Sequence, residues 1–462
     1  MDAIVRIGSG AGFAGDRKDA AVPVVDMLAA CAGPRFLVYE TLAERTLALS
    51  RLARRHNPEG GYSPALEGLL AGVLVRCLDA GIRIVGNFGA ANPLAGARRI
   101  AAMARAAGRT PRIAVVDGAD ISGRLTPEAF AARESGGRLL AGAPVPVSAD
   151  VYIGARPIAE ALDRGADIVV TGRIADPALV LGPLIHAHGW AEDDWDKLAA
   201  GTLAGHLLEC GSQVSGGYFA DPGFKAVPGL DEVGYPVAEI AADGSFVVTK
   251  PEGTGGRIDR LTVIEQMLYE IHDPAAYLTP DVVLDLTCVR VAEAGPHRVR
   301  VTGARGHRRP DTLKATVCVE AGVLAEAEIS YAGPGAAARA RLAADVVRAR
   351  LARRVPGLAL RIDAIGVSSL FNDTAGATLD AAFGGSAAED VRLRFAAEST
   401  DGRMLELMLD EVEALYCAGP AGGAGVRRRL TPRLFSASCL VERDLVAPTV
   451  TLLETEAMEA AS

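Results

Sequence analysis

The sequence predicts an α/β fold: an N-terminal domain on a mostly parallel sheet with helices on both faces, followed by a smaller α+β domain. Three observations carry this. Short apolar runs recur through the first half as continuous stretches, at Ile4–Ile7, Phe36–Tyr39, Ile82–Val85, Ile113–Val116 and Ile168–Val170; strands of that kind are buried on both faces. Segments of helical periodicity lie between them, which is what joining parallel strands in one sheet requires. Glycine and polar residues gather just after the strands, where open α/β sheets bind their ligands.

Each element has its own signal. Ile4–Ile7 runs into a glycine cluster, and residues 19–32 are helical until Gly33 and Pro34 stop them. After Phe36–Tyr39, a Leu- and Arg-rich helix is expected over about 42–55, then a turn at Asn57–Gly61 and a helix from Pro64 to Ala80 ended by Gly81. The strand Ile82–Val85 leads into Gly86-Asn87-Phe88-Gly89, a helix runs from Ala95 to Ala107, and Ile113–Val116 ends at Asp117-Gly118. A helix over 156–164 precedes Ile168–Val170 and Thr171-Gly172-Arg173. From about 280 the pattern alternates, as antiparallel strands do: Val282–Val291, Arg298–Val301, Lys314–Val319 and Glu326–Tyr331, with helices at 336–354 and 400–410. The expected domains are therefore 1–275 and 276–462.

Composition narrows the function. The chain has 462 residues, half of them apolar, and so buries a large core without disulfides. Its net charge of −9 argues against a nucleic-acid binder, which needs an excess of Lys and Arg to neutralise phosphates. Seven dispersed cysteines with no CxxC read as reduced thiols of a cytoplasmic protein. The start MDAIVRIGSG has no secretory pattern, and no apolar run is long enough to span a membrane.

Several segments can carry chemistry. Gly10, Gly12 and Gly15 spell G-x-G-x-x-G after a strand, and Glu40 stands where a ribose-binding acid would, the pattern of a dinucleotide site. Asp16 beside the third glycine argues against a pyrophosphate there, and makes Asp16 and Arg17 candidates for catalysis and substrate binding in a loop shaped for another ligand. Asn87 and Asn92 can offer donors and acceptors to a carboxylate or amide, or can cap the next helix. Asp117, Arg173 and Asp176 sit at strand ends; Arg173 can fork onto a carboxylate, and Asp176-Pro177 can instead open a helix. His206, Glu209 and Cys210 are helical neighbours followed by Gln213. Glu209 and Cys210 are candidate catalytic groups; with His186 or His188 the cluster can also be read as a metal site, although no standard ligand spacing is matched and no metal is assigned. Lys250 and Arg257 flank Gly253, Gly255 and Gly256, a loop whose amides can cradle an anion. A second glycine loop, 419–425, precedes Arg427-Arg428-Arg429.

Taken together, GSGAGFAGDR, GNFGAANP, TGRIADPALVLGPL, GHLLECGSQVSGG, KPEGTGG and GPAGGAGVR resemble the acyclic terpene utilisation (AtuA-like) family over nearly the whole chain and in order. The resemblance implies a role in the breakdown of branched terpenoid acids as coenzyme A thioesters. Many relatives carry a further small domain, so a small partner subunit is expected beside this chain, which is itself expected to form a homo-oligomer.

The leading expectation is a lyase or hydratase acting on a branched, carboxylated acyl substrate, with coenzyme A as part of that substrate. Asp16, Glu209 or Asp117 would be its base, and Arg17, Arg173 and Lys250 its carboxylate or enolate clamp. The alternatives are an NAD(P)-dependent oxidoreductase and a non-catalytic subunit completed by its partner.

Overall fold

A computed structural model describes residues 4–453; residues 1–3 and 454–462 of the two expected domains lie outside the described residues. The chain forms two compact units, residues 4–318 with 436–453, and Val319–Phe435. Residue 275 falls inside the first.

The first unit is built on a ten-stranded sheet. At its centre run five parallel strands, in the spatial order Val5–Ala11, Arg35–Tyr39, Arg83–Gly86, Ile168–Thr171 and Ile113–Asp117. Their continuous apolar character has the predicted consequence: alternate residues feed two separate cores. Phe36 and Val38 enter one, Leu37 and Tyr39 the other; Val85 and Val169 face the first, Ile84, Ile168 and Val170 the second. Helices Ala21–Ala29 and Pro93–Ala106 cover one face, and Arg156–Asp163, Ala178–His188 and Trp195–Glu209 the other.

The segment expected as one helix from Pro64 to Ala80 is two, Leu66–Leu70 and Leu74–Ala80, broken around Gly72. The run Val282–Val291 is likewise interrupted. Val283–Asp285 ends where the Asp285 carboxylate accepts the Thr287 amide at 2.7 Å, and a new strand, Arg290–Gly295, follows. That strand and Arg298–Thr302 pair onward to Phe246–Thr249 and Val237–Ile240, and so join the antiparallel edge of the large sheet. Periodicity reports a strand's exposure but not which distant strand it pairs with.

In the second unit, antiparallel strands (Asp390–Ser399 between Leu360–Ile365 and Val323–Ala332) put Ala325, Ile329, Leu393 and Phe395 against helices Ala336–Arg354, Ala377–Phe383 and Gly402–Glu413. Alternate residues on these strands, Glu326, Glu328, Arg392 and Arg394, pair with one another. The two helices expected at 336–354 and 400–410 are present.

Helix Trp195–Glu209 sets the floor of the site described below. Every residue from Leu198 to Leu208 is buried, as befits a helix apolar on all sides. It approaches its neighbour closely because position 205 has no side chain: a Cβ there would lie 2.5 Å from the Pro177 carbonyl oxygen and 2.7 Å from its Cα. Alanine gains about 1 kcal/mol of helix propensity over glycine, but a clash with backbone cannot be relieved by a rotamer. Gly205→Ala should therefore lose about 1–2 kcal/mol net, read as a lowered urea midpoint with unchanged slope.

Candidate functional site

The carboxyl ends of the parallel strands open onto a cavity of about 1170 Å³ in the first unit. Three of the five strand-end loops contribute. The loop after Val5–Ala11 brings Gly12, Phe13 and Asp16; the segment after Arg35–Tyr39 brings Glu40, Leu42 and Glu44; and the one after Ile168–Thr171 brings Arg173 and Asp176. Helix Trp195–Glu209 adds His206 and Glu209 from below, with Cys210 and Gln213 beyond its end. Five of the nine tyrosines, Tyr152, Tyr218, Tyr235, Tyr269 and Tyr277, complete the wall with Lys314.

Arg173 organises this end of the unit. Its side chain is 1% exposed, and every guanidinium nitrogen is engaged. Nε and Nη2 donate to the Ile174 carbonyl at 3.1 and 2.9 Å, Nη1 donates to the Leu42 carbonyl, and Nη2 also pairs with Asp176. The guanidinium lies 4.3 Å from the centroid of the Tyr152 ring, whose hydroxyl donates to Glu44. Lys314 lies 4.8 Å from the same ring and 3.7 Å from Glu44. The Asp176 carboxylate therefore does not cap helix Ala178–His188, which has no side-chain cap.

Two carboxyl groups in the wall are held away from their ordinary range. Burial, then repulsion from Asp176, raises Glu40 from 4.5 to about 8, against the pull of Arg173 and hydrogen bonds to Oε1 from Asn87 (2.9 Å) and the Leu42 amide (2.8 Å). Burial raises Glu209 to about 7; the adjacent His206 opposes this, and Asp176 again adds to it. His206 is 2% exposed, and its Nδ1 is 2.8 Å from Glu209 Oε1. Burial lowers the basicity of His206, but Glu209 outweighs it, so its pKa ends above the usual value. Asp176 is raised by burial despite Arg173. Burial, reinforced by Glu209, also pushes the Cys210 thiol up, which keeps it protonated at neutral pH.

The structure brings together Gly12, Asp16, Glu40, Arg173, Asp176, His206, Glu209, Cys210 and Gln213 from the sequence candidates. The others stand outside the cavity wall. Asn87 lies directly behind it, fully buried, accepting the Thr41 amide at 2.7 Å and donating to Glu40. Asn92 is the N-cap of helix Pro93–Ala106 and donates to the Pro58 and Gly60 carbonyls. Arg17 donates to the Leu230 and Asp231 carbonyls. Asp117 is exposed and accepts the Gly118 amide.

The Lys250–Arg257 loop is held by its own contacts. Lys250 donates to the Thr254 carbonyl at 2.7 Å, and Arg257 pairs with Asp259. A Cβ on Gly255 would strike the Gly229 carbonyl, and one on Gly256 the Ser215 carbonyl; Gly253 sits at φ +77°.

The fingerprint glycines are likewise explained by close approach. A Cβ on Gly10 would meet the Tyr39 ring, one on Gly12 the backbone of Cys210 and Gly211, and one on Gly15 the Phe13 ring. The Gly12 amide, which a pyrophosphate would use, donates to Asp16 at 2.7 Å, and Tyr235 donates to the same carboxylate.

Glu44, Tyr152, Tyr235, Tyr269, Glu270, Tyr277 and Lys314 were not singled out by sequence. Glu270 alone carried a local anomaly, its φ of +59° in a non-glycine residue, and that is visible only in the structure. Among the described residues no group of three or more His, Cys, Asp or Glu side chains is arranged to hold a metal ion. No helix among them is long and apolar enough to cross a membrane.

A mostly parallel sheet whose strand-end loops help wall a cavity rich in titratable groups defines an α/β protein. Comparison with protein families then places it: the model described as "Acyclic terpene utilisation family protein AtuA" matches residues 5–452, and the chain belongs to that family. No curated protein and no solved structure matches it.

The raised carboxyls make stability depend on pH in a defined sense. Between 4.5 and about 8 the folded chain holds a proton on Glu40 that the unfolded chain has released. Where the folded state binds more protons, stability falls as pH rises. Urea unfolding of Glu40→Gln should show a flatter decline than the parent across pH 5–8, the two curves diverging most at the alkaline end.

Proposed function

We propose that this AtuA-family protein is a lyase or hydratase acting by proton transfer on a branched acyl substrate of acyclic terpene breakdown, presented as a thioester. The observation that carries the reading is the pair Glu40 and Glu209, raised to about 8 and about 7, on the wall of one cavity with Asp176 acting on both. Two carboxyls of different acidity in one site divide the roles of acid and base. Near neutral pH Glu40, the weaker acid, keeps its proton to give, and Glu209 ionises first and takes one.

In dehydration Glu209 removes the proton from the carbon beside the carbonyl. The C–H electron pair forms the C=C bond, the C–O bond breaks, and Glu40 protonates the departing hydroxide to water. Hydration is the reverse. In lyase chemistry Glu209 takes the hydroxyl proton, the C–C bond breaks as the C=O forms, and Glu40 returns a proton to the enolate carbon. Each sequence uses one acid and one base and needs no oxidant.

The mouth suits a hydrocarbon chain. Phe13, Tyr218, Leu278 and Leu440 line the cavity yet are 58%, 75%, 62% and 48% exposed, and covering such side chains with an apolar ligand is favourable by about 25 cal/mol per Å². With Arg173 fully engaged, half-exposed Lys314 is a cation that an anionic end of the ligand can reach. The seven cysteines are free thiols, which suits the reducing cytoplasm in which we place the protein.

The test is turnover of branched hydroxyacyl and enoyl thioesters by the purified chain, followed by mass spectrometry. Activity should follow a bell-shaped pH profile whose acid limb lies above the ordinary carboxylate range. Glu209→Gln and Glu40→Gln should each lower kcat/KM by about 10²–10⁴-fold. Full turnover by Glu209→Gln would remove the basis of this assignment.

A further inference from the structure

The bond between His206 Nδ1 and Glu209 Oε1 uses one polar atom of each side chain. The other two, His206 Nε2 and Glu209 Oε2, are buried and have no partner within the protein. Both residues line the cavity. The rest of the surroundings does not supply the missing bonds: the Tyr277 ring packs 5.6 Å from the imidazole, and Gln266 donates to the His206 carbonyl, not to the ring. A buried polar atom left unpaired is destabilising, and here two such atoms belong to one bonded pair.

Their donor and acceptor roles restrict what can complete them. If the imidazole is charged and Glu209 ionised, Nε2 is a donor and Oε2 an acceptor. If the proton between them sits on Glu209 and the neutral ring carries its own on Nε2, the same holds. In these two arrangements the complement accepts from Nε2 and donates to Oε2; a neutral ring with its proton on Nδ1 would instead leave both atoms acceptors, but Glu209 raises the basicity of His206 and so favours the charged ring. A carbonyl or carboxylate oxygen does only the first, and an ammonium only the second; a hydroxyl does both.

We infer that the His206–Glu209 pair is a hydroxyl subsite: an O–H group on the acyl chain of the substrate accepts from His206 Nε2 and donates to Glu209 Oε2. This is the arrangement of the lyase sequence above, in which Glu209 takes the hydroxyl proton, and it puts His206 in contact with the reacting oxygen. The inference rests on the acyl reading above and narrows it to hydroxyacyl substrates.

The test is calorimetric binding to the full chain of two matched probes. These are the N-acetylcysteamine thioesters of 3-hydroxy-3-methylbutanoic acid and of 3-methylbutanoic acid, which differ only in the hydroxyl. The hydroxylated probe should bind about tenfold more tightly, the worth of a hydrogen bond to a charged group. That preference should shrink to about twofold or less in His206→Phe, with about half of the logarithmic preference restored by a donor in His206→Gln. If His206→Phe does not fold by circular dichroism, Glu209→Gln is the second variant, with the same expected loss.

Equal affinities in the parent, a preference that survives in the folded variants, or binding of neither probe at millimolar concentration would each overturn the subsite. The outcome is separable from that of the proposed function. Turnover without any hydroxyl preference in binding sinks the subsite and leaves the acid–base reading standing. A clear preference without turnover, or without solvent deuterium entering the probe, does the reverse.

Discussion

A guanidinium with almost no water around it holds this site together. Arg173 leaves the end of a central parallel strand and is tied to the carbonyls of Leu42 and Ile174 and to the carboxylate of Asp176. It thereby joins the loop that follows the second strand, through Leu42, to the loop that follows its own. Removing the guanidinium would leave those carbonyls without their donor and the part-buried Asp176 carboxylate without its partner. Its charge does a second job. Carboxylates crowd this cavity wall, and Arg173 lowers the cost of Glu40, Glu44 and Asp176 standing so close together. Asp176, held by Arg173, then acts on Glu40 and Glu209 alike. Arg173 thus contributes both to the positioning of the loops and, beside burial, to the acidity of the groups they carry.

The glycines show a related economy of space. Gly12 touches the backbone of Cys210 and Gly211, and Gly205 touches Pro177, so the helix bearing His206 and Glu209 is packed backbone to backbone on both sides. Its carboxylate and imidazole are held by a frame with little slack, as proton transfer over hydrogen-bond distances demands.

This frame also explains which parts of the site could be read from sequence. The central strands were legible because burial on both faces leaves an uninterrupted apolar run. His206 and Glu209 were legible as neighbours because they stand three residues apart on one helix, whereas Arg173 and Asp176 could be read only singly, and their pairing is seen in the structure. The glycine loop was legible as special, but its spacing says only that side chains are excluded. In this fold a Tyr39 ring and the Cys210 backbone exclude them, a requirement that resembles that of a phosphate. Lys250, Arg257, Arg17 and Asn92 have the residue types of binding groups, yet Arg17 and Asn92 are taken up by carbonyls of loops far along the chain, and Lys250 and Arg257 by Thr254 and Asp259 within their own loop. The tyrosines of the wall were silent for the same reason, since Tyr152 and Tyr277 become neighbours of His206 and Arg173 only once the strands are ordered.

The second unit interrupts the first: the chain leaves it after Cys318 and returns at Ser436. The returning segment supplies Ser438 and Leu440 to the cavity wall, pairs Ser438 and Cys439 with Ser135 and Glu134, and ends as Thr449–Leu452 on the edge of the large sheet. During synthesis, which runs at about 5–20 residues per second, the ribosome must therefore finish the whole inserted unit before the first one can close. Until then the strand Ile113–Asp117 has a bare edge and the cavity an incomplete wall.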